Sequence, residues 1–205
     1  EQVASPEGYA RNPEQVINFY NERRKQLLDV VPNAGHLGVA DLERDFNVTV
    51  VTQNVDNLHE RAGSTHVIHL HGELTKVCSS RDPYNPHFVK ELAPEEYEVK
   101  LGDKAGDGTQ LRPFIVWFGE SVPEIETAIR YVEQADIFVI IGTSLNVYPA
   151  AGLLNYVPRA AEVYLIDPKP VDTHVMRPIH VIQKGASEGV KELKALLTVT
   201  QPPLP

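Results

Sequence analysis

Two segments of this chain place amide, carboxylate and imidazole side chains directly after apolar, β-branched runs. The segment TQNVDNLH contains Gln53, Asn54 and Asp56, and the segment VIHLHGE contains His69 and His71. Such apolar runs are typical of buried strands. Because ligands bind beyond the carboxyl ends of the strands in an open α/β sheet, we expect both segments to face one crevice.

His71 has the side chain best suited to general-base chemistry, because an imidazole titrates near neutral pH. The next residue, Gly72, allows a sharp turn or a close approach of the backbone to a ligand. The pattern alone nevertheless favours a structural histidine at a strand end. By the same standard, Asn54 and Asp56 taken singly are more typical of helix caps.

Two further strand ends carry polar groups. Gly142, Thr143 and Ser144 follow the apolar run IFVII, a position where backbone and hydroxyl donors often meet a phosphate or a ribose. Many strands end in this way, so this signal is weak by itself. Asp167 ends the run VYLI, and an acidic side chain at such a position suits a ribose diol.

Tyr20 and Arg23 are three residues apart, which places them on one face of a predicted helix. A guanidinium can bind a carboxylate in a bidentate pair, and a phenol can add one more hydrogen bond. On the pattern alone, a surface arginine packed beside a tyrosine is the more common alternative. Arg24 is a neighbouring cation whose contribution has to be tested separately.

The order of the predicted elements indicates the fold. The predicted helices cover residues 13–28, 33–45, 55–62, 123–134, 150–157 and 187–197. The predicted strands cover residues 48–52, 67–71, 114–118, 137–141, 162–166 and 179–182. This alternation predicts an α/β fold, with a Rossmann-like parallel sheet and helices on both of its faces.

Residues 76–112 break the alternation, because they are rich in proline, glycine and charged side chains. We predict a small irregular module here, inserted within one domain that covers residues 1–205. The proline-rich tail over 201–205 is predicted to be disordered.

Composition limits the range of partners. The chain has 205 residues and a formal net charge of −9. It has no long basic run, so we expect no nucleic-acid partner. No apolar stretch reaches the length of a membrane span, so we expect no membrane partner and a cytoplasmic location. Residue 1 is Glu rather than Met, and we expect the native N-terminus to differ from it.

Several motifs in order carry a family resemblance. The segment TQNVDNLHERAG followed by VIHLHGEL is similar to the core signature of the sirtuins, the NAD-dependent protein deacylases. The motifs VWFGE, GTS and VYPAA follow in the same order. The upstream segments ASPEG and FYNERR resemble the class III branch of the family. The resemblance covers nearly the whole chain except about residues 78–111.

The resemblance implies roles for the polar residues. His71, the second histidine of the HLHG motif, would be the catalytic base, acting with Asn54 and Asp56. The residues implied in NAD binding are Gln53, Asn54, Val55, Asp56, Gly142, Thr143, Ser144, Asp167 and Ala186. In place of the family's usual Asn-x-Glu element, this chain has Leu165-Ile166-Asp167, so only the carboxylate role carries over.

The resemblance also implies how substrate would bind. Tyr20 and Arg23 would bind an acidic acyl group, and the small Ala4 would leave the acyl pocket wide. The residues implied in clamping the substrate peptide and lining the lysine channel are Val116, Phe118, Gly119 and Val147. Acylated-lysine proteins or peptides are therefore the expected partners.

The implied activity is removal of acetyl, succinyl or malonyl groups from protein lysines, with nicotinamide and O-acyl-ADP-ribose as products. Protein ADP-ribosyl transfer is one alternative, and a non-catalytic module that binds NAD or ADP-ribose is another. A nicotinamide-dependent dehydrogenase is disfavoured, because its Gly-rich fingerprint is not found in these residues.

Two departures from the family pattern stand out. Sirtuins usually hold a structural zinc with four cysteines in the segment equivalent to 78–111, but this chain has only Cys78. A single thiolate does not make a tetrahedral zinc site, so we expect no zinc and a module held by packing. The family's N-terminal Gly-rich loop and first strand, which cradle the NAD pyrophosphate, are not among the 205 residues. Either the chain is truncated or those residues were disordered or cleaved, and we favour the second.

Overall fold

A computed structural model describes residues 3–143, 150–170 and 176–199. Predictions for Ser144, Val147 and the tail over 201–205 lie outside these residues. The chain divides into two units, each built from several segments. The first unit comprises Glu1–Val31, Val51–Asn57 and His69–Glu124. The second unit comprises Pro32–Val50, Leu58–Ile68 and Ile125–Pro205.

The described residues form six α-helices and eight strands. The helices are α1 (Pro6–Arg11), α2 (Pro13–Asp29), α3 (Ala34–Asp41), α4 (Leu58–Ala62), α5 (Ile125–Val132) and α6 (Ala186–Val199). The strands are β1 (Val50–Thr52), β2 (Val67–His69), β3 (Gly72–Ser79), β4 (Lys90–Glu91), β5 (Leu111–Ile115), β6 (Ile137–Ile141), β7 (Glu162–Ile166) and β8 (His180–Ile182). Short 3-10 helices cover Leu42–Arg44, Pro86–Phe88, Pro94–Glu96 and Ala150–Tyr156.

Helix α2 of the first unit confirms the helix predicted over 13–28. The side chain of Asn12 accepts a hydrogen bond from the backbone of Gln15 at 3.1 Å, and Pro13 occupies the first turn. This arrangement satisfies one backbone donor of the first turn and needs no N–H from the proline. The helix buries Val16 and Ile17, and these apolar residues therefore anchor the helix that also carries Tyr20.

An antiparallel sheet with the strand order β4-β3-β5 lies in the first unit. The prediction that residues 114–118 form a strand of the parallel sheet was wrong, because β5 ends at Ile115 and pairs antiparallel with β3. Strand β3 itself was not predicted; it begins at Gly72, and its register with β5 shifts between Gly72 and Val77. The pairing joins residues more than thirty positions apart along the chain, which local periodicity does not reveal.

Buried polar contacts attach the segment between β3 and β5 to α2. Asn21 accepts from the backbone N–H of Val99 at 2.9 Å and donates to the carbonyl of Val99 at 2.8 Å. Arg24 donates to the carbonyl of Tyr97 at 2.7 Å and to the side chain of Asn21 at 2.6 Å. Ile17, Val77 and Val99 form a small apolar cluster in the same unit. Hydrogen bonding and apolar packing together hold this part of the chain in place.

The second unit contains a parallel sheet with the strand order β6-β7-β8. Strands β6 and β7 confirm the predicted strands over 137–141 and 162–166. Helices α3 and α6 contact each other, and α6 also contacts β7 and β8. The buried core of this unit consists of Val39, Leu42, Tyr164, Ile166, Ile182, Val190, Leu193 and Leu197. The parallel ladder and its covering helices agree with the predicted α/β class.

Some predicted elements differ in extent. The predicted helix over 55–62 begins only at Leu58, because the carbonyl of Val55 accepts from the backbone of Leu74 instead of from a helical neighbour. The predicted helix over 150–157 is a 3-10 helix where the structure describes it. None of the described helices combines the length and apolar character that crossing a membrane would require.

Candidate active site

A tight turn between β2 and β3 presents His71. Gly72 has φ +86°, in the left-handed region that favours glycine. A Cβ atom at this position would lie 2.1 Å from the carbonyl oxygen of Phe114. The sharp turn expected after His71 is therefore confirmed, and it leaves no space for any side chain at position 72.

The ring of His71 is oriented by one backbone contact. Its Nδ1 lies 3.2 Å from the carbonyl oxygen of Gln53. Because a carbonyl only accepts, Nδ1 is the donor and Nε2 is the unprotonated nitrogen of the neutral ring. Burial lowers the pKa of His71 below 6.5, and the bond to Gln53 opposes this only partly. The imidazole is therefore mainly neutral at pH 7, with Nε2 free to accept a proton.

Two carbonyl groups of the loop over residues 53–56, those of Gln53 and Asn54, face the two histidines. The carbonyl of Asn54 lies 3.1 Å from Nδ1 of His69, and the backbone N–H of Asn54 donates to Oγ1 of Thr52 at 3.0 Å. Gln53 and Asp56 are half-buried and Asn54 is exposed. His69 is only 9% exposed. Of the two histidines, His71 is thus the more accessible to a ligand.

Tyr20 and Arg23 occupy different environments on α2. The side chain of Tyr20 is buried, whereas that of Arg23 is exposed and lies 5.2 Å from the centre of the Phe19 ring. Within the described residues, the guanidinium of Arg23 makes no ion pair. Arg24 is buried against backbone carbonyls, and burial lowers its pKa to about 10. The two adjacent arginines therefore have separate roles, and only Arg23 is open to a ligand.

A largely buried ion pair supports this part of the first unit, and no sequence pattern indicated it. Arg112 donates to both carboxylate oxygens of Glu120, at 2.8 and 3.0 Å. Burial raises the pKa of Glu120, but hydrogen bonds from Arg112 and from the backbone of Trp117 outweigh burial and lower it overall. The Arg112 guanidinium also lies 3.6 Å from the centre of the Trp117 ring. Glu120 was visible within the VWFGE motif, whereas Arg112 had no local signal.

Two backbone hydrogen bonds within the first unit involve Val116 and Phe118, which were predicted to bind substrate. The backbone N–H of Val116 donates to the carbonyl of His71 at 2.9 Å. The backbone N–H of Phe118 donates to the carbonyl of Ala4 at 3.0 Å. The Phe118 side chain is 67% exposed, and Gly119 follows with φ +90°. Residues 116–119 thus connect His71 to the segment that contains Ala4.

The remaining predicted site residues lie in the second unit. Gly142 follows β6 with φ +62°, and a Cβ there would meet nothing within 4 Å, so the end of the strand has room for a ligand. Thr143 and Asp167 are half-buried, and Oδ1 of Asp167 accepts from the backbone of Lys169 at 2.8 Å. Ala186 begins α6. Open space, hydroxyl and carboxylate groups at strand ends are compatible with a nucleotide.

Cys78, the chain's one cysteine, lies in the interior of the first unit. Its side chain is fully buried, and its sulfur lies 3.7 Å from the carbonyl oxygen of Pro113. Burial raises the pKa of this thiol to about 12. Zinc binds the thiolate form, and the 205 residues contain no second cysteine with which Cys78 could form a cysteine pair. The neighbouring Ser79 instead donates to Asp107 at 2.7 Å and lies 3.0 Å from Oγ1 of Thr109.

Comparison with known proteins gives consistent results. The family model described as Sir2 family matches residues 1–149. A Bacteroides thetaiotaomicron protein named NAD-dependent protein deacylase is 82% identical over 197 residues, which cover 96% of this chain and 84% of that protein. A solved complex of a Sir2 homologue with NAD has a TM-score of 0.81 and 36% identity, covering 97% of this chain and 77% of that chain. A solved complex of Sir2 with a p53 peptide and NAD+ has a TM-score of 0.78 and 26% identity, covering 97% and 83% of the respective chains.

Proposed function

Because this chain belongs to the Sir2 family and is an NAD-dependent protein deacylase, we propose that Tyr20 and Arg23 select lysines that carry an acidic acyl group. Succinyl and malonyl groups are the substrates proposed for this pair, with acetyl as a neutral substrate that does not use it. The deacylase relatives and the NAD-bound neighbour favour deacylation over ADP-ribosyl transfer and over a purely binding module.

The observation that carries the proposal is the contrast between Arg23 and Arg24. The guanidinium of Arg24 is occupied by carbonyl groups of the first unit, whereas Arg23 is exposed beside Tyr20 without a carboxylate partner among the described residues. A guanidinium in this position can form a bidentate pair with an incoming carboxylate. An acetyl group offers no negative charge, so it gains nothing from this pair.

The proposed chemical role of His71 follows from its tautomer. With Nδ1 held by the carbonyl of Gln53, Nε2 would accept the proton of a ribose hydroxyl and so make that oxygen a nucleophile. The turn at Gly72 fixes the direction of the ring. Nearby, the amide of Asn54 and the carboxylate of Asp56 would position the nicotinamide and its ribose through hydrogen bonds.

NAD would supply the ribose carbon that the acyl carbonyl oxygen attacks, with nicotinamide as the leaving group, and the ribose hydroxyl that finally carries the acyl group. In the first unit, Gln53, Asn54, Val55 and Asp56 are proposed to hold the nicotinamide half. In the second unit, the residues proposed to hold the remainder are Gly142, Thr143, Asp167 and Ala186. The open space beside Gly142 supports this assignment, because a Cβ at that position would meet no atom within 4 Å.

Acyl-lysine peptides are proposed to bind along residues 116–119. The solved Sir2 neighbour with a p53 peptide supports a peptide as the substrate class. Backbone hydrogen bonding to an added strand would tolerate varied sequences, and the exposed ring of Phe118 would cover the lysine stem.

Two further proposals concern the whole chain. The first is that residues 76–112 form an inserted module, which limited proteolysis would test. The second is a cytoplasmic location, which cell fractionation would test.

The experiment compares nicotinamide release by the full-length protein on acetyl- and succinyl-lysine peptides of one sequence. The variants are Arg23→Met and, as a matched control, Lys25→Met, which removes the same charge from another face of α2. We expect Arg23→Met to raise KM for the succinyl peptide about tenfold or more, as for a lost charge-assisted bond, with little change on acetyl. The Lys25→Met variant should resemble the wild type on both peptides. Equal losses on both peptides, or equal losses from both variants, would contradict the proposal.

A further inference from the structure

The hydroxyl oxygen of Tyr20 accepts a hydrogen bond from Trp117, and this bond limits the direction of the hydroxyl hydrogen. Nε1 of Trp117 lies 3.1 Å from the Tyr20 oxygen, and the two side chains are only 2% and 6% exposed. An indole N–H can only donate, so the phenol oxygen accepts. Within the described residues, the hydrogen of that phenol has no acceptor. A buried phenol with an unused donor is a group prepared to meet a ligand.

Three further contacts keep the Trp117 side chain beside Tyr20: one backbone hydrogen bond and two contacts of the indole ring. Its backbone N–H donates to Glu120 at 2.8 Å. Its ring lies under the guanidinium of Arg112, at 3.6 Å from the ring centre, and contacts the ring of Tyr9 at 5.3 Å between centres. The guanidinium of Arg112 in turn donates to Glu120 and to the carbonyls of Pro113 and Ile115. This arrangement removes Arg112 as a competing partner for an acyl carboxylate, although it lies in the same cluster.

We propose that Trp117 is a specificity-determining residue, which positions the Tyr20 hydroxyl as a hydrogen-bond donor to acidic acyl groups; this inference rests on the proposed function of Tyr20 and Arg23. With its oxygen accepting from the indole, the phenol directs its own hydrogen away from Trp117. Accepting one hydrogen bond also strengthens the bond that the same hydroxyl donates. A carboxylate beside Arg23 receives that bond, whereas an acetyl methyl group does not.

The test removes the indole N–H in two ways. Trp117→Phe keeps an aromatic ring beside Arg112, and replacement of Trp117 by 3-benzothienylalanine keeps the full bicyclic shape while removing the N–H. Each change is made in the wild type and in Tyr20→Phe, and kcat and KM are measured on succinyl- and acetyl-lysine peptides of one sequence. The benzothienyl protein keeps the comparison interpretable if Trp117→Phe fails to fold.

The expected result is a selective effect on KM. Loss of the N–H should raise KM for the succinyl peptide about three- to tenfold, as for one lost hydrogen bond, with kcat and the acetyl KM within about twofold. In the Tyr20→Phe background the same change should have no further effect on the succinyl KM.

Two results would overturn the inference. Equal losses on both peptides would mean that Trp117 only supports the fold, and a selective loss that persists in Tyr20→Phe would mean that it acts by another route. Failure of the proposed function is distinguishable, because Arg23→Met and Tyr20→Phe would then leave succinyl turnover unchanged. If those two variants lose succinyl turnover while the benzothienyl protein does not, only the role of Trp117 is refuted.

Discussion

Substitution of Gly72 by alanine tests whether the turn after His71 is as tight as the structure shows. Two costs add at this position. An L-residue at φ +86° costs about 1–2 kcal/mol. A Cβ at 2.1 Å from the Phe114 carbonyl forces a backbone shift, and such overpacking costs about 1–3 kcal/mol more. We therefore expect Gly72→Ala to lower the free energy of unfolding by about 2–5 kcal/mol, a large share of a typical total.

Gly102 provides the matched control. It also has a positive φ, of +98°, but a Cβ there would meet nothing within 4 Å. Gly102→Ala should therefore lose only the conformational part, about 1–2 kcal/mol. Urea unfolding of the two variants and the wild type measures both losses under the same conditions. The difference between the two variants isolates the contact with Phe114.

Enzyme turnover provides a second test of the effect of Gly72→Ala. A shifted backbone at residue 72 moves the His71 ring away from the Gln53 carbonyl, so Gly72→Ala should lose turnover on acetyl and succinyl peptides alike, below its unfolding temperature. Gly102→Ala should stay active. Equal losses of stability in the two variants, or a folded Gly72→Ala protein with normal turnover, would refute the argument that this turn positions the base.

Two predictions concern proton binding. NMR titration of the His71 ring should show a midpoint below pH 6.5 and, in the neutral form, a proton on Nδ1; a midpoint above 6.5 or a proton on Nε2 would contradict the proposed base. The pKa of Asp107 is lowered to about 2 by hydrogen bonds from Thr109 and Ser79, so its contribution to stability is complete above the unfolded value near 3.8 and is lost as the pH falls towards 2. Asp107→Asn should therefore be less stable than the wild type at pH 7 in urea unfolding, with the gap narrowing between about pH 4 and pH 2; a gap that stays constant over this range would contradict that contribution.

Local sequence signals predicted the elements whose cause is local. The Asn12-Pro13 start of α2 was recognisable because capping depends on adjacent residues. The runs that form β6 and β7 were recognisable because strands buried on both faces are continuously apolar. Strands β3 and β5 were misjudged, because their pairing depends on contacts across the intervening module and not on any pattern within either strand.

The candidate site shows the same division between local and non-local causes. The residue types at His71, Tyr20 and Arg23 could be selected from the sequence. Their states could not, because the tautomer of His71 depends on the Gln53 carbonyl, and the direction of the Tyr20 hydroxyl depends on a tryptophan 97 positions away. The different burial of Arg23 and Arg24 likewise follows from contacts of α2 with residues 97–99.

One short segment sets the geometry of the whole proposed acyl site. Val116 bonds to the carbonyl of His71, Trp117 bonds to Tyr20, and Phe118 bonds to the carbonyl of Ala4. Two residues of extended chain span at most about 7 Å, so the three contacts fall within one short length of backbone. Trp117 is the middle residue of this segment, and its backbone N–H donates to Glu120. Because Arg112 holds the Glu120 carboxylate, their ion pair also fixes the position of Trp117. A change that loosens residues 116–118 should therefore disturb His71 and the proposed acyl pocket together, whereas a change in the side chain of Trp117 should disturb the proposed acyl pocket alone.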